Sequence, residues 1–301
     1  MSSTRFVRRS SCPRRTALSA LLVSLVLWPA EARAQTFVQE GPKLVGTGAV
    51  GTAYQGQSVA LSADGTTVLI GGPWDNGRIG AAWGWTRSGG VWTQQGPKLV
   101  GTGAVGAAYQ GQSVALSADG NTALIGGYGD NSSVGAAWVW TRSGGVWTQQ
   151  GSKLVGPGAV GTANQAISVS LSADGTTALI GGPTDNSLAG AAWVFAVPPD
   201  PPSGLVVSSV VGNVVTLRWT PPPTGPAPTG YTLEGGISPG QVLANIPTGS
   251  ASPIYTFTAP TGSFFVRMYA TIGTRRSTAS NEIPLYVNVP VTPSAPANLL
   301  G

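Results

Sequence analysis

The sequence predicts an all-β protein, in which a region of repeated strand-rich units is followed by a separate β-sandwich. A unit of 55 residues occurs almost three times between residues 35 and 197. Within each unit the apolar residues alternate with a period of two, which is typical of strands and not of helices. After a proline-rich segment at residues 198–202, the composition changes to short runs rich in Val, Thr and Tyr. Such runs, separated by turn residues, predict a sandwich over residues 203–290.

Residues 1–34 have the pattern of a secretory signal peptide. Several arginines precede the apolar stretch Thr16–Trp28, and Ala32–Ala34 forms a cleavage site of the small-x-small type. The apolar stretch is too short for a membrane span. The pair Arg14-Arg15 also fits a twin-arginine signal, so the export route stays open. We expect a secreted or cell-surface protein whose mature chain has no transmembrane segment.

Composition excludes several classes of function. Without residues 1–34, which hold six arginines and Glu31, the chain has ten basic and ten acidic residues. No basic cluster is left to neutralise phosphates, so a nucleic-acid partner is excluded. The chain has no histidine, and its only cysteine, Cys12, lies in the signal. Zinc and haem sites and histidine- or cysteine-dependent catalysis are therefore excluded. We expect a non-enzymatic protein with no catalytic residues and no bound cofactor.

Each copy of the repeat predicts two β-hairpins. The copies begin at Gly41, Gly96 and Gly151, and the first two are identical at 46 of 55 positions. An Asp-Gly pair between apolar runs is a strong hairpin signal, and a Gly-Gly turn separates the second pair of runs. In the first copy the four runs are Ser58–Leu61, Thr67–Ile70, Ala82–Thr86 and Val91–Gln95. Four short antiparallel strands are the content of one β-propeller blade.

The repeat also carries motifs of a known family. The segments Ser58–Gly65, Ile70–Pro73 and Gly80–Trp83 resemble the FG-GAP repeat, a blade unit of the β-propellers in integrin α chains. The resemblance covers about Thr36–Val197 and implies FG-GAP-type propeller blades. At the Phe-Gly position this chain has Gln55-Gly56, and it lacks the calcium loop of alternating aspartates that some members carry.

Each copy contains two aspartates whose expected roles differ. The first series lies in Ala-Asp-Gly turns, where aspartate hydrogen-bonds nearby backbone; it comprises Asp64, Asp119 and Asp174. The second series lies in Asp-Asn loops and supplies weak calcium candidates; it comprises Asp75, Asp130 and Asp185. A calcium site takes six to eight oxygens, usually from several carboxylates. Since each loop has one, a turn role is favoured and calcium is expected to be dispensable.

A glycine motif in each copy fits the dinucleotide-binding fingerprint. In the first copy it is Gly46–Gly51, which has the spacing G-x-G-x-x-G. That fingerprint needs a helix directly after the third glycine, to hold the pyrophosphate. A β-patterned stretch follows instead, so the motif is interpreted as a connection between strands.

Tryptophan and loop variation indicate a ligand surface. Trp83, Trp85 and Trp92 recur in the second copy, which favours packing between blades over an exposed platform for sugar rings. Trp74 has no counterpart in the other copies, and the copies differ mainly in the loops 73–79, 128–134 and 183–189. Functional residues are often found on loops, so we predict that these three loops form the ligand surface. The alternative explanation of the differences is neutral variation. The candidate contact residues are Trp74, Arg78 and Tyr128.

The C-terminal part resembles a fibronectin type III domain. The features are the Pro-Pro start, Trp219 on an alternating run, the segment Gly230–Glu234 and the late Tyr269-Ala270. Such domains usually act as spacers, and the loop Thr271–Arg276 contains no Arg-Gly-Asp adhesion motif. Residues 291–301 resemble the opening strand of a further domain of this type, and we interpret them as a product of gene truncation or a remnant of a longer array.

The third copy ends before its fourth strand. Thr36–Glu40 stands before the first copy in the place that Val91–Gln95 occupies before the second. One hypothesis is a homodimer, in which two chains form a six-blade ring and each N-terminal strand completes the partner's last blade. The competing interpretation is an incomplete, three-blade fragment.

The predicted function is that of an extracellular interaction, adhesion or scaffold protein whose partner is a protein or a glycan. The alternative is a carbohydrate-binding accessory module of a system that processes extracellular polysaccharides, because exposed aromatic loops suit sugar rings.

Overall fold

A computed structural model describes residues 36–289 of the chain. The predicted signal at residues 1–34 and the predicted segment at residues 291–301 lie outside this part. The described residues form an all-β protein, as the sequence predicts. In this part of the chain, no helix is long and apolar enough to span a membrane.

Each of the first two repeats folds into a four-stranded antiparallel sheet, with the strands in chain order. The strands of the first sheet are β1 (Ser58–Leu61), β2 (Thr67–Gly72), β3 (Ala81–Ser88) and β4 (Val91–Gln94). The strands of the second sheet are β5 (Ser113–Leu116), β6 (Thr122–Gly127), β7 (Ala136–Ser143) and β8 (Val146–Gln149). Both predicted hairpins are therefore confirmed in the first two copies.

The third repeat forms a sheet of three strands. They are β9 (Ser168–Leu171), β10 (Thr177–Gly182) and β11 (Ala191–Ala196). A one-turn helical segment follows the second strand of every sheet: α1 (Asp75–Arg78), α2 (Asp130–Ser133) and α3 (Asp185–Leu188). Two central residues of each segment are left-handed, for example Asn76 and Gly77, so these segments are structured loops.

The aspartates of the first series close the hairpin turns as predicted. Asp64 accepts hydrogen bonds from the Ser62 hydroxyl (2.6 Å) and from the Thr66 backbone N–H (2.9 Å). Gly65 follows in a left-handed conformation. The same bonds recur at Asp119 and Asp174. These local bonds stabilise the turn and lower the pKa of Asp64 to about 2.

The tryptophans of the third strands are packed in the core, as predicted. Trp83 and Trp138 are fully buried, and the indole of Trp138 donates to the Thr102 carbonyl (2.8 Å). A Cβ at Gly101 would lie 2.1 Å from Cδ1 of Trp138. The first glycine of the fingerprint-like motif is therefore required for tryptophan packing. An irregular connection and then β5 follow the motif, instead of a helix.

The glutamine at the Phe-Gly position has a structural role. The side chain of Gln110 accepts from Gly101 N–H (2.5 Å) and donates to the Gly101 carbonyl (3.0 Å). Gln165 forms the same pair of bonds with Gly156. Because an amide can do both, it pairs with the backbone in the manner of a neighbouring strand.

Adjacent sheets pack face to face through equivalent residues. Leu69 and Ala82 of the first sheet lie against Ala123 and Ile125 of the second. Leu124 and Ala137, which are equivalent to Leu69 and Ala82 in the second sheet, lie against Ala178 and Ile180 of the third sheet. Backbone hydrogen bonds join the turns at the two boundaries, from Ala63 N–H to the Ala118 carbonyl and from Ala118 N–H to the Ala173 carbonyl.

The three sheets do not close into a ring in the described structure. Thr36–Glu40, the segment predicted to serve as a strand, contains no strand, and its Phe37 and Val38 side chains are exposed. The strand exchange predicted between two chains stays a prediction.

Residues 203–287 form two sheets that enclose a core of their own. One sheet contains β12 (Ser203–Val211), β13 (Val214–Thr220) and β16 (Ile254–Thr258). The other contains β14 (Gly230–Gly236), β15 (Ala244–Pro247), β17 (Gly262–Ile272), β18 (Arg275–Arg276) and β19 (Ile283–Val287). Trp219 and Tyr231 meet edge to face in this core, with ring centroids 4.9 Å apart. The arrangement is a sandwich, as predicted.

The predicted linker is attached to the sandwich. The carboxylate of Asp200 accepts a hydrogen bond from the Thr224 hydroxyl (2.7 Å). Pro199 and Pro202 are buried. Residues 198–202 are therefore held in place, as well as stiffened by their prolines.

Candidate ligand-binding surface

The second aspartate series anchors the variable loops. Asp75 begins α1 and is buried, and its Oδ1 accepts the backbone N–H of Val50 (2.7 Å). Its Oδ2 forms an ion pair with Lys98 of the second copy (2.5 Å). Asp130 makes the equivalent bonds to Val105 and Lys153. These bonds fix the loop that follows the second strand of each sheet.

The same contacts bear on the calcium candidates. In Asp75 and Asp130 one carboxylate oxygen is held by a backbone N–H and the other by a lysine ammonium. A cation would have to displace that ammonium, so these two sites do not suit calcium. Asp185 accepts the Val160 N–H through Oδ1 (2.7 Å). Among residues 36–289 no group of three or more His, Cys, Asp or Glu could hold a metal ion.

The structure brings the three candidate contact residues together with two further tyrosines. The ring centroids of Tyr54 and Trp74 are 5.3 Å apart, and those of Trp74 and Tyr109 are 5.9 Å apart. Tyr109 then stacks on Tyr128 at 4.9 Å. The four rings form a continuous row that runs from the first copy to the second. We call these four residues and Arg78 the aromatic surface.

Arg78 adds a positive charge to this row. Its guanidinium carbon lies 4.6 Å from the Trp74 ring centroid and 6.0 Å from that of Tyr109. Such a cation–π contact orders a long side chain that would otherwise be free in solvent. Partial burial and the neighbouring Tyr109 raise the pKa of Tyr128, while Arg78 acts in the opposite direction. The Tyr128 phenol therefore stays neutral at physiological pH and can donate a hydrogen bond.

The aromatic surface is open to solvent at its first end. Tyr54 is 56% exposed and Trp74 is 39% exposed. Tyr109 and Tyr128 are half-buried. Large aromatic side chains are normally buried, so the exposed end of this row is the candidate for an interaction site.

Two of the tyrosines have an unfavourable backbone conformation. Tyr54 has φ +53° and Tyr109 has φ +56°, in the left-handed region. In the third copy the equivalent residue is Asn164, with φ +49°. Asparagine tolerates this region far better than tyrosine. Strained residues cluster at functional sites, so the tyrosines suggest selection for their rings.

The row ends at the third copy. Asn164, Pro183 and Thr184 stand there in place of the aromatic residues. Leu188, which is equivalent to Arg78, is exposed. The loop 183–189, predicted to contribute to the ligand surface, therefore carries no aromatic ring.

Sequence reasoning missed Tyr54 and Tyr109. They are identical in the first two copies, so the variation between those copies does not point to them. The third copy supplied the available signal, because Asn164 occupies a position where both other copies have tyrosine.

The sandwich contains a separate apolar cavity of about 180 Å³. Its lining includes Leu233, Leu243, Phe257 and Phe264. A ligand site usually combines such a lining with a few polar groups that orient the ligand. The side chains here are almost all apolar, so the aromatic surface is the stronger candidate.

Comparison with known proteins finds similarity only to solved structures. No protein-family model matches the chain, and no curated protein matches it. Among solved structures, the chain is similar to titin kinase and its flanking domains, with 28% identity and a TM-score of 0.27. That match covers 31% of this chain and 18% of the titin structure, so the chain spans less than a fifth of that relative.

Other similar structures are single domains. One is the fibronectin type III domain of human fibronectin type III domain containing protein 3, with 17% identity and a TM-score of 0.27, covering 34% of this chain and 96% of that domain. Another is an Fn3-like protein from Clostridium thermocellum, with 22% identity and a TM-score of 0.25, covering 32% of this chain and 100% of that protein.

Proposed function

We propose that this chain is a non-enzymatic interaction protein of the cell exterior, which binds its partner through the aromatic surface. The observation that carries the proposal is the unbroken row of four aromatic rings, Tyr54, Trp74, Tyr109 and Tyr128, with Arg78 against it. The row is exposed at its first end, whereas Trp83 on β3 and Trp138 on β7 are fully buried.

A glycan is the ligand class that this surface suits best. Aromatic rings present flat apolar faces, which stack on the C–H faces of sugar rings. Arg78 and the neutral Tyr128 phenol supply hydrogen-bond donors for sugar hydroxyls. This chemistry favours the carbohydrate-binding alternative over a protein ligand. A protein partner that inserts apolar side chains between the rings is the competing ligand.

We propose that the three repeat sheets are β-propeller blades similar to FG-GAP repeats. Support comes from the strand order within each sheet and from the face-to-face packing of successive sheets. The loops that carry Trp74, Tyr128 and Leu188 recur at the same position of each sheet, which suits a binding surface on one end of a propeller.

Location outside the cytoplasm is part of this proposal. It is supported by the signal-peptide pattern of residues 1–34. The non-enzymatic assignment is supported by the absence of histidine from the sequence and by the position of its only cysteine, Cys12, in the predicted signal.

A glycan array tests the proposal with one variant and one matched control. Trp74→Ala removes one of the two inner rings of the aromatic surface. The control is Trp92→Ala on β4, a half-buried tryptophan that also contacts an arginine, Arg87, at 5.7 Å. We expect glycan binding by the unmodified protein, at least tenfold weaker binding by Trp74→Ala, and little change in Trp92→Ala.

Other outcomes would correct or overturn the proposal. Binding to cells without any glycan signal, lost in Trp74→Ala, would replace the glycan with a protein ligand on the same surface. Equal binding by Trp74→Ala and the unmodified protein would show that the aromatic surface is not the binding site.

A further inference from the structure

The two ends of the repeat region expose faces that are buried at every internal boundary. Leu69 and Leu124 are fully buried against the next sheet, whereas the equivalent Leu179 of the third sheet is 44% exposed. Val194, on the neighbouring strand of the same face, is 69% exposed. The third sheet therefore presents the apolar face that the first two sheets use to hold a following sheet.

The first sheet presents the opposite half of this boundary. Val59 and Leu61 are 66% and 61% exposed. The equivalent residues of the second sheet, Val114 and Leu116, pack into the core that it shares with the first sheet. The uncovered face of the first sheet is thus the face that receives a preceding sheet.

Charge gives an independent match between the two ends. At both internal boundaries a lysine of the following copy pairs with a buried loop aspartate, Lys98 with Asp75 and Lys153 with Asp130. In the third copy, Asp185 has no following copy to supply a lysine. In the first copy, the exposed Lys43 has no preceding copy to supply an aspartate. Within residues 36–289 neither has an ion-pair partner.

Backbone pairing shows the same pattern. Ala82 and Leu99 exchange two hydrogen bonds across the first boundary, of 3.0 and 2.7 Å, and Ala137 and Leu154 do so across the second. The next pair in this series is Ala192 with Leu44. Ala192 has no following copy in its own chain, since the linker begins at residue 198.

We propose that a second copy of this chain covers the third sheet with its own first sheet, head to tail. In this interface, Lys43 of the partner subunit pairs with Asp185, and Leu44 of the partner subunit pairs with the backbone of Ala192. The apolar faces, the ion pair and the backbone hydrogen bonds of this interface are equivalent to those between successive sheets within one chain. Two chains that close on each other form a six-sheet ring, and further chains form a longer array.

This inference goes beyond the proposed function and differs from the pairing that the sequence predicts. The sequence assigns the contact to Thr36–Glu40 as an exchanged strand. The structure assigns the contact to the sheet faces. Deletion of Thr36–Glu40 is therefore not expected to abolish association between chains.

Sedimentation of the full chain with charge-reversed variants tests the ion pair. Lys43→Asp places two acidic groups together and is expected to raise the dissociation constant at least tenfold. Lys43→Asp combined with Asp185→Lys restores the pair and is expected to recover association. Arg218→Asp, the same charge change at an exposed site of the sandwich, is the control and should leave association unchanged.

Cross-linking tests the register and does not depend on the charges. Leu44→Cys and Ala192→Cys, in a Cys12→Ser background, place thiols at a hydrogen-bonded antiparallel pair, where Cα atoms lie within disulfide reach. Mild oxidation is expected to give a covalent dimer or a ladder of multiples, and either supports the interface. A protein that stays monomeric by sedimentation and forms no intermolecular cross-link would overturn the proposal.

Discussion

The ammonium of Lys98 lies 2.5 Å from Oδ2 of Asp75, whose side chain is only 1% exposed. The two residues belong to different copies of the repeat, so this ion pair connects the loop of the first sheet to the start of the second copy. Trp74 and Arg78 lie on that loop. The position of the aromatic surface therefore depends on a contact between copies.

A double-mutant cycle measures how much this ion pair contributes to the free energy of unfolding. Asp75→Asn and Lys98→Met each leave one charged or polar group poorly partnered, and each is expected to lower the free energy of unfolding by about 2–4 kcal/mol. The double variant should lose less than the sum, with a coupling of about 1–3 kcal/mol. Urea unfolding provides the measurement.

Lys43→Met is the matched control for this cycle. It makes the same substitution at the equivalent position, where the chain itself supplies no aspartate. In dilute protein, where chains are separate, it should change the free energy of unfolding by less than about 0.5 kcal/mol. Equal losses in Lys43→Met and Lys98→Met would show that the ion pair does not matter.

Gly101→Ala is expected to destabilise the second sheet. The new methyl group would lie 2.1 Å from Trp138 Cδ1, and overpacking of this kind costs about 1–3 kcal/mol. Gly103→Ala is the control, because its methyl group meets nothing within 4 Å and only the left-handed backbone, φ +75°, is unfavourable. A larger loss in Gly103→Ala, measured by thermal unfolding, would contradict this account of the glycine motif.

Much of the fold follows from the sequence because the signals are local. The Asp-Gly turn at Asp64 and the alternation in β1 and β2 depend on residues close in the chain. The one-turn segment α1 carries no such signal, since its shape depends on Asp75 being held by Val50 and Lys98, more than twenty positions away.

The aromatic surface could be predicted only in part for a similar reason. Trp74, Arg78 and Tyr128 differ between copies, and this variation identifies them as candidates from the sequence alone. Tyr54 and Tyr109 are repeated, so they resemble scaffold residues, and only the packing of neighbouring copies brings Tyr109 beside Trp74. In the sandwich, β12 and β15 have weak strand patterns, because glycine, serine and proline interrupt their apolar residues.

The turn aspartates predict an acid-sensitive repeat region. Hydrogen bonds from Ser62 and Thr66 hold the pKa of Asp64 at about 2, below its ordinary value of 3.8. Asp119 and Asp174 are lowered in the same direction, chiefly by the hydroxyls of Ser117 and Ser172. A lowered folded-state pKa stabilises the fold above the unfolded value, and this contribution is lost as pH falls through the folded value.

Urea unfolding as a function of pH checks this expectation. Stability from these groups should hold from neutral pH to about pH 4 and then fall towards about pH 2. The triple variant Asp64→Asn, Asp119→Asn and Asp174→Asn should show a smaller fall across the same window. An unchanged fall in the triple variant would assign the acid sensitivity to other carboxylates.

Tyr54→Asn is expected to separate stability from binding. Asparagine occupies the equivalent left-handed position in the third copy, so the substitution should leave stability unchanged or raise it by up to about 1 kcal/mol. Ligand binding should fall, because the exposed end of the aromatic surface is removed. Thermal unfolding and the glycan array measure the two effects, and a clear loss of stability would refute the strain argument.

Calcium is expected to be dispensable. Lysine ammonium groups occupy the sites beside Asp75 and Asp130, and no metal-binding group of three or more His, Cys, Asp or Glu occurs in residues 36–289. Thermal unfolding in calcium and in excess chelator should give the same midpoint. A rise of more than about 5 °C with calcium, well over about 1 kcal/mol for a domain of this size, would contradict the expectation.

Hydrogen–deuterium exchange on the full chain, with and without a bound oligosaccharide from the array, tests the central claim most directly. Slower exchange is predicted in the segments that carry the aromatic surface, residues 53–57, 73–79 and 108–112, with no change in the sandwich at residues 203–287. Protection confined to the sandwich, or to the third repeat where Asn164 and Thr184 replace the aromatic rings, would contradict the proposed binding surface.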